Sequence, residues 1–247
     1  MFEKLFTSIK IRGMELKHRI IMPAMGTKFS GNTSFVTPTL IHYHAARAKG
    51  GSALNIVEVC SVYTPSAPRH FLSISEDKYI SGLKDLTDAI HAEGGKAGLQ
   101  LWQGSLAVGM DQTAQILMAS DTPLGPDLIV PGITKDQIKE IVACYGKAAE
   151  RAVKAGFDCI EFHCAHNYLP HSFLSGGINH RTDEYGGSFE NRIRFQLECI
   201  RKIRENLFSL LKRARCSEVS NYRTPQTFIS CFRVFIFNRS NGLIYSE

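Results

Sequence analysis

The sequence predicts an α/β fold of parallel strands, arranged as a sheet or a barrel, in one large domain. The chain has 247 residues, a length that α/β barrels commonly occupy as a single unit. From residue 19 onward, short apolar or β-branched runs alternate with longer runs of helical periodicity, as expected when helices connect parallel strands. Hydrophobic residues make up 44% and charged residues 21% of the chain, which excludes coiled-coil, collagen-like and disordered proteins.

The first two strand–helix units are marked by capping and helix-stop residues. Strand one is expected at 19–22, and the helix after it begins with Thr37 as N-cap and Pro38 as its first residue. Strand two is expected at 53–59. The next helix is expected near 77–92, because apolar residues recur there at spacings of three and four and a glycine pair follows.

The third and fourth units follow the same order, with one long interruption. Strand three is expected at 96–101, and the connection 102–133 after it is long enough that we interpret it as a lid or pocket wall. The third helix begins at Thr134, which forms a capping box with the glutamine three residues later. Strand four is expected at 157–163 and the fourth helix at 188–206.

The C-terminal segment does not continue this alternation. Residues 207–247 carry six lysines or arginines and two glutamates, and so hold +4 of the chain's formal charge of +6. We therefore expect a nearly neutral body at 1–206, without a nucleic-acid-binding function. The tail at 207–247 is expected to be aberrant, out of frame or disordered, although 227–237 is rich in β-formers and could add an edge strand.

Compartment and cysteine chemistry are predicted from what the sequence lacks. The longest apolar runs are too short to span a bilayer, and the N-terminus has no signal-peptide core. We therefore expect a cytoplasmic protein with no membrane partner. The seven cysteines form no CxxC pair and are odd in number, which predicts reduced, structural thiols.

Polar or small residues stand where each predicted strand ends, which is where barrel enzymes place their chemistry. These residues are Gly26 and Thr27 after strand one, Glu58 and Cys60 on strand two, Gln100 on strand three, and His163, His166 and Tyr168 on or after strand four. A glycine lets a flat ligand approach the backbone, a glutamine offers donors and an acceptor to an amide-like ring edge, and histidines can donate to a carbonyl oxygen. The pattern is typical of a site for a planar cofactor with polar edges.

Other interpretations of single residues remain open at this point. Gln100 and His163 could simply be hydrogen-bonded within the core, and Glu58 could form an ion pair with a basic side chain of the barrel wall. Cys164 next to two histidines could suggest a nucleophile or a zinc ligand. We expect neither, because Cys164 points away from His163 along a strand and no fourth metal ligand stands at a plausible spacing.

The residues after strand four resemble the signature of the old yellow enzyme family. The sequence is FHCAHNYL at 162–169, followed by FLS at 173–175 and NHRTDEYGGS at 179–188. HRIIMPAMGT at 18–27 and GLQLW at 98–102 are similar to the family's first and third strands. The first strand looks closest to the branch of 2-enoate and 2,4-dienoyl-CoA reductases.

This resemblance implies a TIM-type (β/α)8 barrel, of which about four βα units are present. It implies an FMN-dependent enzyme that takes hydride from NADH or NADPH and reduces the C=C bond of enone or enoate compounds. Tyr168 would donate the proton to the α-carbon, and His163 and His166 would hydrogen-bond the substrate carbonyl.

The resemblance also implies which residues contact the flavin. They are Gln100 at the ring edge, the backbone of Ala24, Met25 and Gly26, and, near the flavin, Glu58 and Cys60. The block from Arg181 to Arg192 is expected to be a structural loop clamp. No metal site or iron–sulfur cluster is expected.

Only the first half of such a barrel has a counterpart in the sequence, over residues 1 to about 206. The fifth to eighth strands and the loops that would hold the FMN phosphate have none. The alternative to an active enzyme is therefore a truncated, non-catalytic product, or a chain that associates with another copy or with a complementary half-barrel.

Overall fold

The protein is described here by a computed structural model that covers residues 2–105, 111, 113–214 and 233–237. The strands are β1 (Ile9–Ile11), β2 (Met14–Leu16), β3 (Ile21–Met22), β4 (Leu54–Ser61), β5 (Leu72–Ser73), β6 (Lys96–Trp102), β7 (Thr122–Gly125), β8 (Leu128–Val130), β9 (Cys159–His163) and β10 (Arg233–Phe237). The α-helices are α1 (Pro38–Lys49), α2 (Ile80–Ala92), α3 (Lys135–Lys154), α4 (Leu169–Leu174), α5 (Phe189–Arg192) and α6 (Arg194–Ala214). Short 3-10 turns lie at Glu3–Phe6, Thr64–Ser66 and Asp77–Tyr79.

The central sheet has the strand order β10-β9-β6-β4-β3, and β5 adds to β4. The pairs β3–β4, β4–β6 and β6–β9 are all parallel. Successive strands are therefore neighbours, and a helix lies between each pair in the chain, which is the arrangement of half a (β/α)8 barrel. The four predicted strand–helix units are confirmed.

Local capping explains where the helices begin. The Thr37 side chain accepts from the Leu40 amide at the start of α1, directly before Pro38. Thr134 and Gln137 form the predicted capping box at the start of α3, with both of its hydrogen bonds present. These caps satisfy amide groups that would otherwise lack partners in the first turn of each helix.

The two largest hydrophobic clusters of the described residues lie on opposite faces of the sheet. The larger one packs α1, α2, α3 and α6 against outward residues of the strands, among them Val57, Leu99, Ile160 and Phe162. The smaller one lies on the inner face, where the β1–β2 hairpin places Met14 and Leu16 against the first residues of β4 and β9. The hairpin thus covers the amino-terminal ends of the strands and leaves their carboxyl ends for the candidate site.

The connection 102–133, which we interpret from the sequence as a lid or pocket wall, contains regular secondary structure. Residues in its second half form the antiparallel β7–β8 hairpin, joined through Pro126 and Asp127. A proline followed by an aspartate favours a tight turn between two short β runs. Residues 106–110 and 112 of the predicted lid lie outside the described part of the chain.

The fourth helix also differs from the prediction. It is divided at Ile193 into α5 and α6, and α6 continues to Ala214 instead of ending at residue 206. The predicted end is wrong because residues 207–214 contain no glycine or proline and are mostly good helix formers.

Part of the tail pairs with the sheet. β10 lies antiparallel to β9, with Arg233 opposite His163 and Phe237 opposite Cys159. This agrees with the β-rich character of 227–237, although the strand runs against the parallel direction of the other units. The rest of the tail beyond Ala214 lies outside the described residues. Among the helices of the described part, none is long and apolar enough to cross a membrane.

Candidate active site

A polar pair lies on the inner face of the sheet, between the small core and the carboxyl ends of the strands. Gln100 on β6 and Glu161 on β9 are opposite each other in register, and both side chains are buried. The Gln100 amide Nε2 donates to Glu161 Oε1 at 2.6 Å. Glu161 was not among the predicted site residues, although its position two residues before His163 puts it on the same face of the strand.

Glu58 lies on the neighbouring strand at an irregularity. The β4–β6 register shifts between Val57 and Val59, so that Glu58 is an extra residue on β4. Its Oε2 accepts from the backbone amide of Thr27 at 2.6 Å and from the Thr27 hydroxyl. Glu58 thus holds the segment that follows β3. The sequence had left open an ion pair between Glu58 and a basic side chain, and the structure shows these hydrogen bonds with Thr27.

The surroundings of Glu58 favour its neutral form. Burial raises the pKa of this carboxyl, and the two hydrogen bonds from Thr27 offset that rise only in part. The second oxygen, Oε1, is buried and has no hydrogen-bond partner among the described residues. This oxygen can therefore still form a hydrogen bond on the inner face of the sheet.

Cys60 does not join this group. With one extra residue on β4, the side chains beyond Glu58 change face: Val59 packs with Trp102, and Cys60 is fully buried in the large core on the helix side. Burial also raises the pKa of the Cys60 thiol well above its ordinary value. Regular alternation would have placed Cys60 on the face of Glu58, and nothing in the sequence marks the extra residue.

The three residues predicted to be catalytic form one cluster of rings at the end of β9. The ring centroids are 5.2 Å apart for His163 and His166, 4.8 Å for His163 and Tyr168, and 6.1 Å for His166 and Tyr168, all near-perpendicular. His163 is buried, Tyr168 is half-buried and His166 is exposed. The cluster therefore opens to solvent on the side of His166.

An unusual turn creates this cluster. His166 and Asn167 both have a φ of 59°, a left-handed conformation that residues other than glycine rarely adopt and that costs about 1–3 kcal/mol each. The turn is held from the loop after β6: Ser105 donates to the Asn167 carbonyl, and the Leu169 amide donates to the Gln103 carbonyl at 3.3 Å. The β6 and β9 loops thus fix each other and fix the ring positions.

The ring of Tyr168 packs against aromatic side chains of the site. Its ring packs edge-on against Trp102 at 5.1 Å between centroids, and Trp102 in turn packs against Phe71 at 5.4 Å. Burial raises the pKa of the Tyr168 phenol above its ordinary value of 10. The phenol is therefore protonated at neutral pH and can act as a proton donor.

The segment predicted to lie along a flavin ring is accessible. Met25 is 56% exposed, and Ala24 packs partly on the small inner core. A Cβ added to Gly26 would lie 3.4 Å from Phe71, so the glycine keeps the backbone open next to an aromatic side chain. The hydrogen bonds from Thr27 to Glu58 fix the end of this segment.

The Arg181 loop clamps the β9 side of the site to the β7–β8 connection. Arg181 pairs with Asp183 at 2.6 Å, which lowers the pKa of that carboxyl, and it donates to the carbonyls of Ala119 and Ile133 at 2.8 and 2.7 Å. Asn179 Nδ2 donates to two backbone carbonyls, that of Phe173 in α4 and that of Tyr185 in the same loop. The expected structural clamp is present in these contacts.

Cysteine and metal chemistry have little support in the described residues. Cys164 lies in the large core, and burial raises the pKa of its thiol. All five cysteines of the described part are free. The same part of the chain holds no group of three or more histidine, cysteine, aspartate or glutamate residues placed to bind a metal ion.

The chain is similar in sequence to proteins of one known family. The model of the NADH:flavin oxidoreductase / NADH oxidase family matches residues 4–238. The chain is 38% identical over 208 residues to an NADPH dehydrogenase of Bacillus subtilis (strain 168), covering 83% of this chain and 61% of the relative. It is 37% identical over 209 residues to an NADH oxidase of Thermoanaerobacter brockii, covering 83% of this chain and 32% of the relative.

Solved structures agree on the fold. Old yellow enzyme from Pichia sp. AKU4542 superposes with a TM-score of 0.75 at 30% identity, over 82% of this chain and 56% of that one. Morphinone reductase gives a TM-score of 0.73 at 32% identity, over 81% and 58% of the two chains. The chain thus spans less than two thirds of the relatives that it matches, and its fold is part of their TIM barrel. It belongs to the NADH:flavin oxidoreductase / NADH oxidase family, the family of old yellow enzyme.

Proposed function

We propose that the chain is an FMN-dependent oxidoreductase that uses NADH or NADPH to reduce a C=C bond conjugated to a carbonyl group. The observation that carries the proposal is the ring cluster of His163, His166 and Tyr168, next to the Gln100–Glu161 pair at the carboxyl ends of the strands. Relatives named NADPH dehydrogenase and a structural neighbour named morphinone reductase support it.

The residues present fit the ring of a flavin. The backbone of Ala24, Met25 and Gly26 is open for a flat ligand, and the Gln100 amide can address a ring edge that has both donors and acceptors. The unpartnered Glu58 Oε1 adds hydrogen-bonding capacity on the same face. When bound, FMN would supply a hydride to the β-carbon of the substrate.

The histidines and the tyrosine would act on the substrate. Histidine N–H groups from His163 and His166 would hydrogen-bond the carbonyl oxygen and stabilise the negative charge that develops there. Tyr168 would transfer its phenolic proton to the α-carbon. Burial raises the pKa of this phenol and so keeps the proton in place at neutral pH until a carbanion-like carbon accepts it.

The test is NADPH-dependent reduction of 2-cyclohexen-1-one by the full chain supplied with FMN. We expect turnover by the wild type and a loss of about 100-fold or more for Tyr168→Phe, since a positioned general acid contributes that much. Tyr43→Phe, on α1, is the matched control and should keep full activity. Turnover by Tyr168→Phe at the wild-type rate would contradict the role of the phenol, and an inactive, folded wild type would contradict the proposed function.

A second candidate is a half-barrel that functions by association with a complementary half. One observation favours it: β3 pairs only with β4 among the described strands, and Ile20 and Ile21 on this edge are about 40% exposed. Sedimentation velocity of the purified chain separates the two proposals. A monodisperse monomer that reduces the enone would contradict the second candidate, whereas a flavin-free assembly would favour it.

A further inference from the structure

We infer that Glu161 is a positioning residue, whose carboxylate holds the Gln100 side-chain amide in one of its two possible orientations. The inference rests on the proposed function, because the orientation matters only if Gln100 contacts a ligand. Glu161 was not among the residues that the sequence singled out, and in this proposal it touches neither cofactor nor substrate.

The hydrogen-bonding chemistry of the pair determines the orientation. An ionised carboxylate only accepts hydrogen bonds, whereas a glutamine side chain has a donor end and an acceptor end. Gln100 Nε2 donates to Glu161 Oε1 at 2.6 Å, and both side chains are buried. Turning the amide over would point its oxygen at Glu161 and break this N–H donation to Oε1. Glu161 therefore fixes the nitrogen of Gln100 on its own side.

The fixed amide then presents a defined pattern to a ligand. Gln100 Oε1 and the second hydrogen of Nε2 remain for other contacts, and together they form an acceptor next to a donor. That pair matches an imide edge, in which an N–H group stands beside a carbonyl. An imide has a carbonyl on each side of its N–H group, so a turned amide would pair with the other carbonyl and shift the ring along its edge. Glu161 would therefore set the position of the ring before any ligand arrives.

The backbone links this selection to the rest of the site. Gln100 and Glu161 are register partners on adjacent parallel strands, so their relative position is set by the β6–β9 ladder. His163 lies two residues after Glu161 on the same strand and the same face. One strand thus positions both the amide for a ring edge and the first histidine of the ring cluster.

A purely structural role makes a different prediction. A buried hydrogen-bonded pair can stabilise a core without any effect on a ligand, and its loss would then lower only the free energy of unfolding. A positioning role predicts that Glu161 acts on ligand binding through Gln100 and has no effect once Gln100 is absent. The two roles can therefore be separated by combining substitutions.

The experiment is a double-mutant cycle on FMN binding to the full chain, with Glu161→Gln, Gln100→Leu and their combination. Glu161→Gln keeps the shape and can still fold around Gln100, but its neutral amide accepts or donates and no longer selects one orientation. We expect Glu161→Gln to weaken FMN binding about tenfold and to shift the visible absorption of the bound flavin. In the Gln100→Leu background the same substitution should have less than about a twofold effect.

Ile160→Val, on the opposite face of β9, is the control for small changes in strand packing and should bind FMN as the wild type does. The inference would be overturned if Glu161→Gln bound FMN within twofold of the wild type, or if the losses of binding free energy were additive in the double variant. Either result would leave the proposed function intact. A wild type that binds no FMN would overturn the proposed function, and this inference with it. The wild-type titration therefore tells the two failures apart.

Discussion

At the scale of single residues, burial shifts the pKa of two acidic side chains of the candidate site. Tyr168 and Glu58 both have a pKa raised by burial. For Tyr168 the shift preserves a phenolic proton that the proposed reaction uses. For Glu58 it favours a neutral carboxyl, although Oε2 accepts two hydrogen bonds from Thr27. Burial therefore keeps the proton on the Tyr168 phenol, whereas for Glu58 it destabilises the ionised carboxylate.

Glu58 gives a prediction for the pH dependence of stability. Its folded-state pKa lies above the unfolded value, so its contribution is fully present below the ordinary carboxyl pKa and is lost as pH rises through the folded value. Glu58→Gln keeps an oxygen that can accept from Thr27 and does not ionise. In urea denaturation, the variant should therefore lose less free energy of unfolding than the wild type between about pH 5 and pH 8.

Glu93→Gln is the matched control, because Glu93 is exposed at the end of α2 and should leave the wild-type pH dependence unchanged. Parallel curves for the wild type and Glu58→Gln would contradict the raised pKa of Glu58.

At the scale of secondary-structure elements, the features found from the sequence are those with a local cause. Thr37 and Pro38 predicted the start of α1, and Thr134 with Gln137 predicted the start of α3, because capping depends on residues within one turn. The extra residue at Glu58 has no such local marker: it arises from the pairing of β4 with β6. It could not be read from β4 alone, which is why Cys60 was expected on the wrong face.

The cap of α3 gives a prediction at this scale. Thr134→Ala removes the acceptor for the Gln137 amide and should lower the free energy of unfolding by about 1 kcal/mol, measured by chemical denaturation. The comparison is Lys139→Ala on the same helix, which removes an exposed ion pair with Asp136 and should cost less than about 0.5 kcal/mol. Equal effects of the two substitutions would contradict the importance of the capping box.

The ring cluster also depends on contacts between elements. The sequence placed His163, His166 and Tyr168 after one strand, and strand ends in a barrel meet at one edge. It did not predict the left-handed turn at His166 and Asn167, nor the hydrogen bonds by which Ser105 and Gln103 hold that turn. Glu161 was missed for a different reason: a buried carboxylate in a strand becomes informative only when its partner, Gln100, is known.

At the scale of the whole molecule, the described residues form part of the TIM barrel of their family. Its four parallel strands carry the residues proposed to face a flavin ring and a substrate carbonyl, and the chain spans 61% of its Bacillus subtilis relative. The proposed roles of these residues are to bind the flavin ring and to transfer a proton. In TIM barrels, phosphate groups are commonly held by the loops after the last two strands, for which the described residues give no counterpart.

Titration of the purified full chain with FMN tests whether the inner face of β4, β6 and β9 binds a flavin, as we propose. Absorption difference spectra and equilibrium dialysis would measure the binding together. We expect saturable binding of one FMN per chain, with a shifted visible absorption band. A folded, monodisperse chain that shows neither saturable binding nor a spectral shift would contradict it.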